Sequence, residues 1–66
     1  MRTRAELKRI RTALGLTQAD VAKGAGISLV TMIKWETGRN VRPASERAIR
    51  DEIEGKLAMY DAMMAP

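Results

Sequence analysis

Residues 17–38 read TQADVAKGAGISLVTMIKWETG, and the small residues and glycines of this stretch decide the fold. Counted from Gln18, Val21, Ala22 and Ala25 recur where a first short helix must offer a small apolar face. Gly26 falls where the chain must turn, because a residue without Cβ enters the left-handed region at little steric cost. Ile27 follows as the apolar residue beneath the turn. Met32 and Trp35, three apart, form the inward stripe of a second helix that starts at Ser28, whose hydroxyl can cap a free backbone N–H. That helix ends at Thr37-Gly38. A bulky side chain at position 22 would hold the two helices apart, so size and backbone freedom carry the signal.

Upstream, Thr3-x-x-Glu6 is a capping box that opens a helix. Leu7, Ile10 and Leu14 line one face of it, and Gly15 stands where a left-handed residue closes a helix. Arg4, Lys8, Arg9 and Arg11 are assigned to the opposite, solvated face. Thr17 with Asp20 repeats the capping box for the next helix. Gly24 inside that helix costs about 1 kcal/mol relative to alanine, which predicts a short or frayed end.

Downstream, residues 44–64 read as helical. Ile49, Ile53, Leu57, Tyr60 and Met64 form one apolar stripe, and Glu46/Arg50, Arg47/Asp51, Arg50/Glu54 and Glu52/Lys56 are i, i+4 pairs of opposite sign. The paired charges account for the acidic residues as a solvated helix surface without invoking acid–base chemistry. Gly55 leaves one helix or two open, and the closing MMAP is expected to fray.

The run from Leu7 to Pro43 resembles the helix-turn-helix domain of the Cro/CI-type (XRE-like) transcriptional repressors of bacteria and their phages. Its GLTQ entry, GIS turn and WETG exit stand in register with that family, as does the basic segment before Pro43. The resemblance implies an all-α, compact four- or five-helix, lambda-repressor-like DNA-binding domain spanning residues 1–66, with the helix-turn-helix core at 17–38. It also implies separate fourth and fifth helices beyond Pro43. Small stand-alone relatives of this kind include Cro-like and anti-CRISPR-associated regulators.

Carried over position by position, the resemblance makes the helix from Ser28 the recognition helix, with Leu29, Val30, Ile33 and Lys34 facing the bases of a major groove. Contacts to the DNA backbone are implied for Thr17, Gln18, Ser28, Thr31, Arg39, Asn40 and Arg42. A clamp between Arg11 and Glu36 is implied as well, against which stands the reading of two exposed charges worth about 0–1 kcal/mol. The sequence departs from the family at the recognition helix, where many members carry Arg, Gln, Ser or Asn. Aliphatic residues can meet thymine methyl groups and Lys34 can donate to guanine, so a T-rich half-site with one G is chemically readable. The same apolar face also suits a protein partner, as in an antitoxin or antirepressor.

Composition narrows the function further. The chain has neither Cys nor His, so thiolate or imidazole metal sites and the commonest nucleophile and base arrangements are absent, and no catalytic residue, metal or cofactor is expected. No apolar run approaches the roughly 20 residues of a membrane span, and MRTRAELKRI lacks the apolar core of a signal peptide. A cytoplasmic protein without membrane or small-molecule partners is expected. Of the net charge of +4, residues 1–42 hold nine Lys/Arg against three Asp/Glu, whereas residues 43–66 hold three against five. A basic front carrying the motif is what a domain meeting a polyanion requires. Sixty-six residues bury a marginal core. Leu57, Met59, Tyr60, Met63 and Met64 remain over once Ile49 and Ile53 close it, which points to a homodimer through the C-terminal segment.

Overall fold

The computed structural model describes residues 1–65, and among them the chain forms four helices and no strand: α1 (Arg4–Ala13), α2 (Gln18–Ala25), α3 (Leu29–Glu36) and α4 (Pro43–Met64). The first three starts are local products of their caps. Thr3 Oγ1 accepts from the Glu6 N–H (3.1 Å) while Glu6 Oε1 accepts from the Thr3 N–H (3.0 Å). Thr17 and Asp20 repeat the exchange at 3.0 and 2.8 Å, and Ser28 Oγ accepts from the Thr31 N–H. These bonds stabilise the ionised carboxylates: the backbone hydrogen bond from Thr3 holds Glu6 below its usual pKa, and that from Thr17 does the same for Asp20. Gly15, Gly26 and Gly38 all take positive φ, and each closes a helix where a side chain would strain the backbone.

Leu7, Val21, Ala22, Met32, Trp35, Ile49 and Ile53 form the buried core, with Ile10, Leu16, Ile27 and Val41 packed against it. All three shorter helices pack on α4. Burying these side chains supplies the main stabilising term, about 1.5–3 kcal/mol for each large one. Leu14, expected in this core, is only half-buried. It is the C-cap of α1, where the chain turns away toward α2, and with Leu16 it lines a shallow groove of about 190 Å³ beside Met59, Tyr60 and Met63.

The separate fourth and fifth helices implied by the resemblance are corrected. The helix beyond Pro43 is single: α4 runs 22 residues through Gly55, which stays helical. One exposed glycine costs about 1 kcal/mol, too little to interrupt a helix anchored by Ile49 and Ile53. Met63 and Met64 of the terminus expected to fray are helical, and Pro66 lies outside the described residues. As expected α2 is short, eight residues ending at Ala25, but Gly24 does not fray it. Gly24 instead gives room to the Glu52 carboxylate from α4, which lies where a Cβ would stand. Of the four anticipated i, i+4 pairs, Glu46–Arg50 (2.8 Å) and Glu52–Lys56 (3.9 Å) form. Arg50 turns its other nitrogen to the Arg2 carbonyl, and Glu54 pairs with Arg2.

Candidate nucleic-acid interface

The turn at Gly26 sets α3 with Met32 and Trp35 fully buried beneath it and its opposite side outward. Leu29, Val30 and Ile33 are 46, 61 and 40% exposed, and Lys34 is exposed beside them. Between α3, the loop after it and the start of α4 lies an open trench of about 660 Å³, where Ser28, Thr31, Lys34, Asn40 and Arg42 come together. Arg39 is exposed on the same loop. Thr17 is exposed at the start of α2.

Glu36, at the end of α3, is neutralised inside the protein. Arg11 Nε and Nη2 donate to the two Glu36 oxygens at 2.6 and 3.1 Å, and Arg11 Nη1 donates to the Leu16 carbonyl at 2.7 Å. The Glu36 side chain is 2% exposed, so the bridge is internal rather than a pair of surface charges. It joins α1 to the last turn of α3. Gln18 belongs to the same cluster, since its Nε2 donates to Glu36 Oε1 at 3.0 Å. The side-chain amide proposed for phosphate is therefore half engaged within the fold, while the amides of the first turn of α2 remain the more direct anion donors.

Of the four basic residues expected on the solvated face of α1, Lys8 and Arg9 are exposed, whereas Arg11 is buried in its bridge to Glu36 and Arg4 turns inward. Arg4 instead donates to the Trp35 carbonyl (3.1 Å), the Arg39 carbonyl (2.8 Å) and Glu46 Oε2 (3.0 Å), and its guanidinium lies 5.7 Å from the Trp35 ring centroid. It thereby ties the end of α3 and the loop bearing Arg39 to α1 and α4. A signal for this was present: Arg4, Leu7 and Arg11 stand at i, i+3 and i+7, on the inward stripe of α1. The Trp35 indole Nε1 is buried without a partner of full hydrogen-bond geometry among the described residues. It stands close enough to the Glu46 carboxylate to favour the ionised form.

Burial opposes the Glu46 charge, but the hydrogen bond from Arg50 and the charges of Arg4 and Arg50 outweigh it and hold the carboxyl below its usual 4.5. A carboxyl that is a stronger acid when folded stabilises the fold fully above its unfolded pKa, and that contribution is lost as pH falls through the folded value. Glu6 and Asp20 act in the same direction. Unfolding free energy measured by urea titration should therefore fall as pH drops below about 4.5, and Glu46→Gln should flatten part of that slope. A variant as acid-sensitive as the parent would exclude Glu46 as a contributor.

Once these pairs are made, Lys34, Arg39 and Arg42 have no ion-pair partner among the described residues. Two short helices at a glycine turn, the second with its outer side bare and flanked by unpaired cations, define a helix-turn-helix. The chain belongs to the Helix-turn-helix domain family, whose model matches residues 4–62. This agrees with the resemblance to Cro/CI-type regulators carried by GLTQ, GIS and WETG, and it implies DNA as the partner class. No curated protein and no solved structure matches the chain. Among the described residues no helix is long and apolar enough to cross a membrane.

Proposed function

We propose that this protein is a sequence-specific double-stranded DNA-binding transcriptional repressor, acting in the cytoplasm as a homodimer on a pseudo-palindromic operator near its own promoter, in a phage or other mobile element. The observation that carries the reading is the coincidence of the outward side of α3 with the unpaired Lys34, Arg39 and Arg42. In this arrangement α3 enters the major groove with Leu29, Val30, Ile33 and Lys34 toward the bases. Arg39 and Arg42 offer forked donors to phosphate, joined by Asn40, the hydroxyls of Thr17, Ser28 and Thr31, and Gln18 at the start of α2. Repression follows from occupancy, because a dimer seated on promoter DNA excludes the polymerase.

Binding to duplex DNA should weaken steeply with salt, and Arg39→Ala and Arg42→Ala should each reduce the magnitude of the slope of log K against log salt by roughly 1 per half-site. Salt titration by fluorescence anisotropy reads this directly. The exposed aliphatic side of α3 favours a second reading, a module that binds a protein such as a toxin or another repressor. Salt-insensitive or absent DNA binding would favour that reading over the first.

A further inference from the structure

Resting on the DNA-binding reading above, we propose that α3 selects its site through the C5-methyl groups of pyrimidines, those of thymine and equally of 5-methylcytosine, with Lys34 as the polar reader. Hydrogen-bond readout needs side chains with free donors or acceptors, and apart from Lys34 the polar side chains of this helix are at least partly engaged within the fold. Ser28 Oγ accepts from the Thr31 N–H at 3.1 Å and shares a hydrogen bond with Thr31 Oγ1 at 2.9 Å. The Thr37 hydroxyl donates to the Ile33 and Lys34 carbonyls at 2.9 and 3.1 Å. Glu36 is held by Arg11 and Gln18. The outward surface that remains is Leu29, Val30 and Ile33, with the Lys34 ammonium in no ion pair among the described residues.

In the major groove an aliphatic side chain gains by covering an apolar group and loses by covering an unpaired donor or acceptor. The apolar group presented there by an ordinary base pair is the thymine C5-methyl. Cytosine methylated at C5 carries its methyl at the same ring position. Adenine, guanine and unmodified cytosine lack that methyl and set mainly polar groups against Leu29, Val30 and Ile33. The unpaired Lys34, Arg39 and Arg42 beside this patch make a polyanion its complement. Lys34 can then fix register by donating to guanine O6 or N7.

The test starts from sites selected by the full-length protein out of random duplex DNA. Each thymine of the best half-site is replaced by deoxyuridine, which keeps the Watson–Crick edge and removes only the methyl. Each contacted methyl should be worth roughly fourfold in affinity, with the salt slope unchanged because the phosphates are untouched. In a second arm, cytosine placed at a sensitive position should gain by a similar factor when methylated. Leu29→Ala or Val30→Ala should abolish the distinction between thymine and deoxyuridine at one position each. Selective binding that is indifferent to deoxyuridine overturns the proposal and leaves the repressor reading standing. Failure to enrich any duplex site overturns the DNA reading itself. A loss with deoxyuridine without a gain from methylated cytosine overturns the cytosine half and confines recognition to thymine.

Discussion

Arg11→Ala is expected to lower folding stability by about 3–5 kcal/mol, the usual consequence of leaving one member of a buried ion pair alone. The Glu36 carboxylate would keep only the Gln18 amide as a donor, at a side chain that is 2% exposed. The Leu16 carbonyl would lose its donor as well. A domain of 66 residues has little stability to spare, so the variant should be largely unfolded at room temperature by circular dichroism. Glu36→Ala removes the carboxylate but strands the guanidinium, so a double-mutant cycle should show strong coupling, with the double variant less damaged than the two single losses combined. Simple additivity would mean that the pair contributes nothing as a unit. A joint Arg11→Met and Glu36→Leu replacement should recover much of the stability, since apolar residues of similar volume often substitute for a buried pair with little cost.

Removal of residues 58–66 is expected to abolish dimerisation and to reduce operator affinity by about 100- to 10,000-fold, the range set by losing a second linked binding event. The apolar stripe of α4 is buried at Ile49 and Ile53, half-buried at Leu57, and exposed at Tyr60 and Met64, with Met59 and Met63 exposed alongside. The same helix thus leaves the core at Leu57 and continues outward with its apolar side bare. At about 1.5 Å per residue α4 is roughly 33 Å long, and the longest extent of the protein is 40 Å. A two-fold pairing of these overhangs, seating Met59 and Tyr60 of each copy against Leu14 and Leu16 of the other, would cover both patches. It would also set two recognition helices for successive major grooves, about 34 Å apart. Because the truncation spares Leu57 and every core residue, the remaining chain should stay helical. Sedimentation should show a dimer for the intact chain and a monomer for the shortened one. An intact monomer at micromolar concentration, with undiminished operator binding after truncation, would remove this surface from the function.

Much of the fold was legible because it depends on neighbours three or four residues apart. The capping pairs Thr3/Glu6 and Thr17/Asp20, the Ser28 cap and the three positive-φ glycines mark the helix limits before Pro43 within a residue or so. The stripe from Ile49 to Ile53 and the inward pair Met32 and Trp35 follow from helical periodicity and are buried as expected. The candidate interface was legible as a set of positions, because a helix with two residues inward has a definable outward side. Its chemistry was legible only in part. The Ser28 cap was legible, but that the hydroxyls of Thr31 and Thr37 are also engaged within the helix became apparent only from their hydrogen bonds.

By itself, then, the sequence determined four helical segments, their caps and turns, and the aliphatic character of the outer side of α3, all of which arise from interactions between close neighbours along the chain. Tertiary structure alone decided that Arg4 reaches the Trp35 and Arg39 carbonyls and Glu46, that Gln18 turns to Glu36, and that Glu52 occupies the space beside Gly24. It also decided that α4 passes through Gly55 unbroken. Long side chains such as arginine and glutamine have several staggered conformations of similar energy. Which of them is adopted depends on carbonyls and carboxylates 18 to 42 residues away in the chain, and those partners come within reach only when the helices have packed.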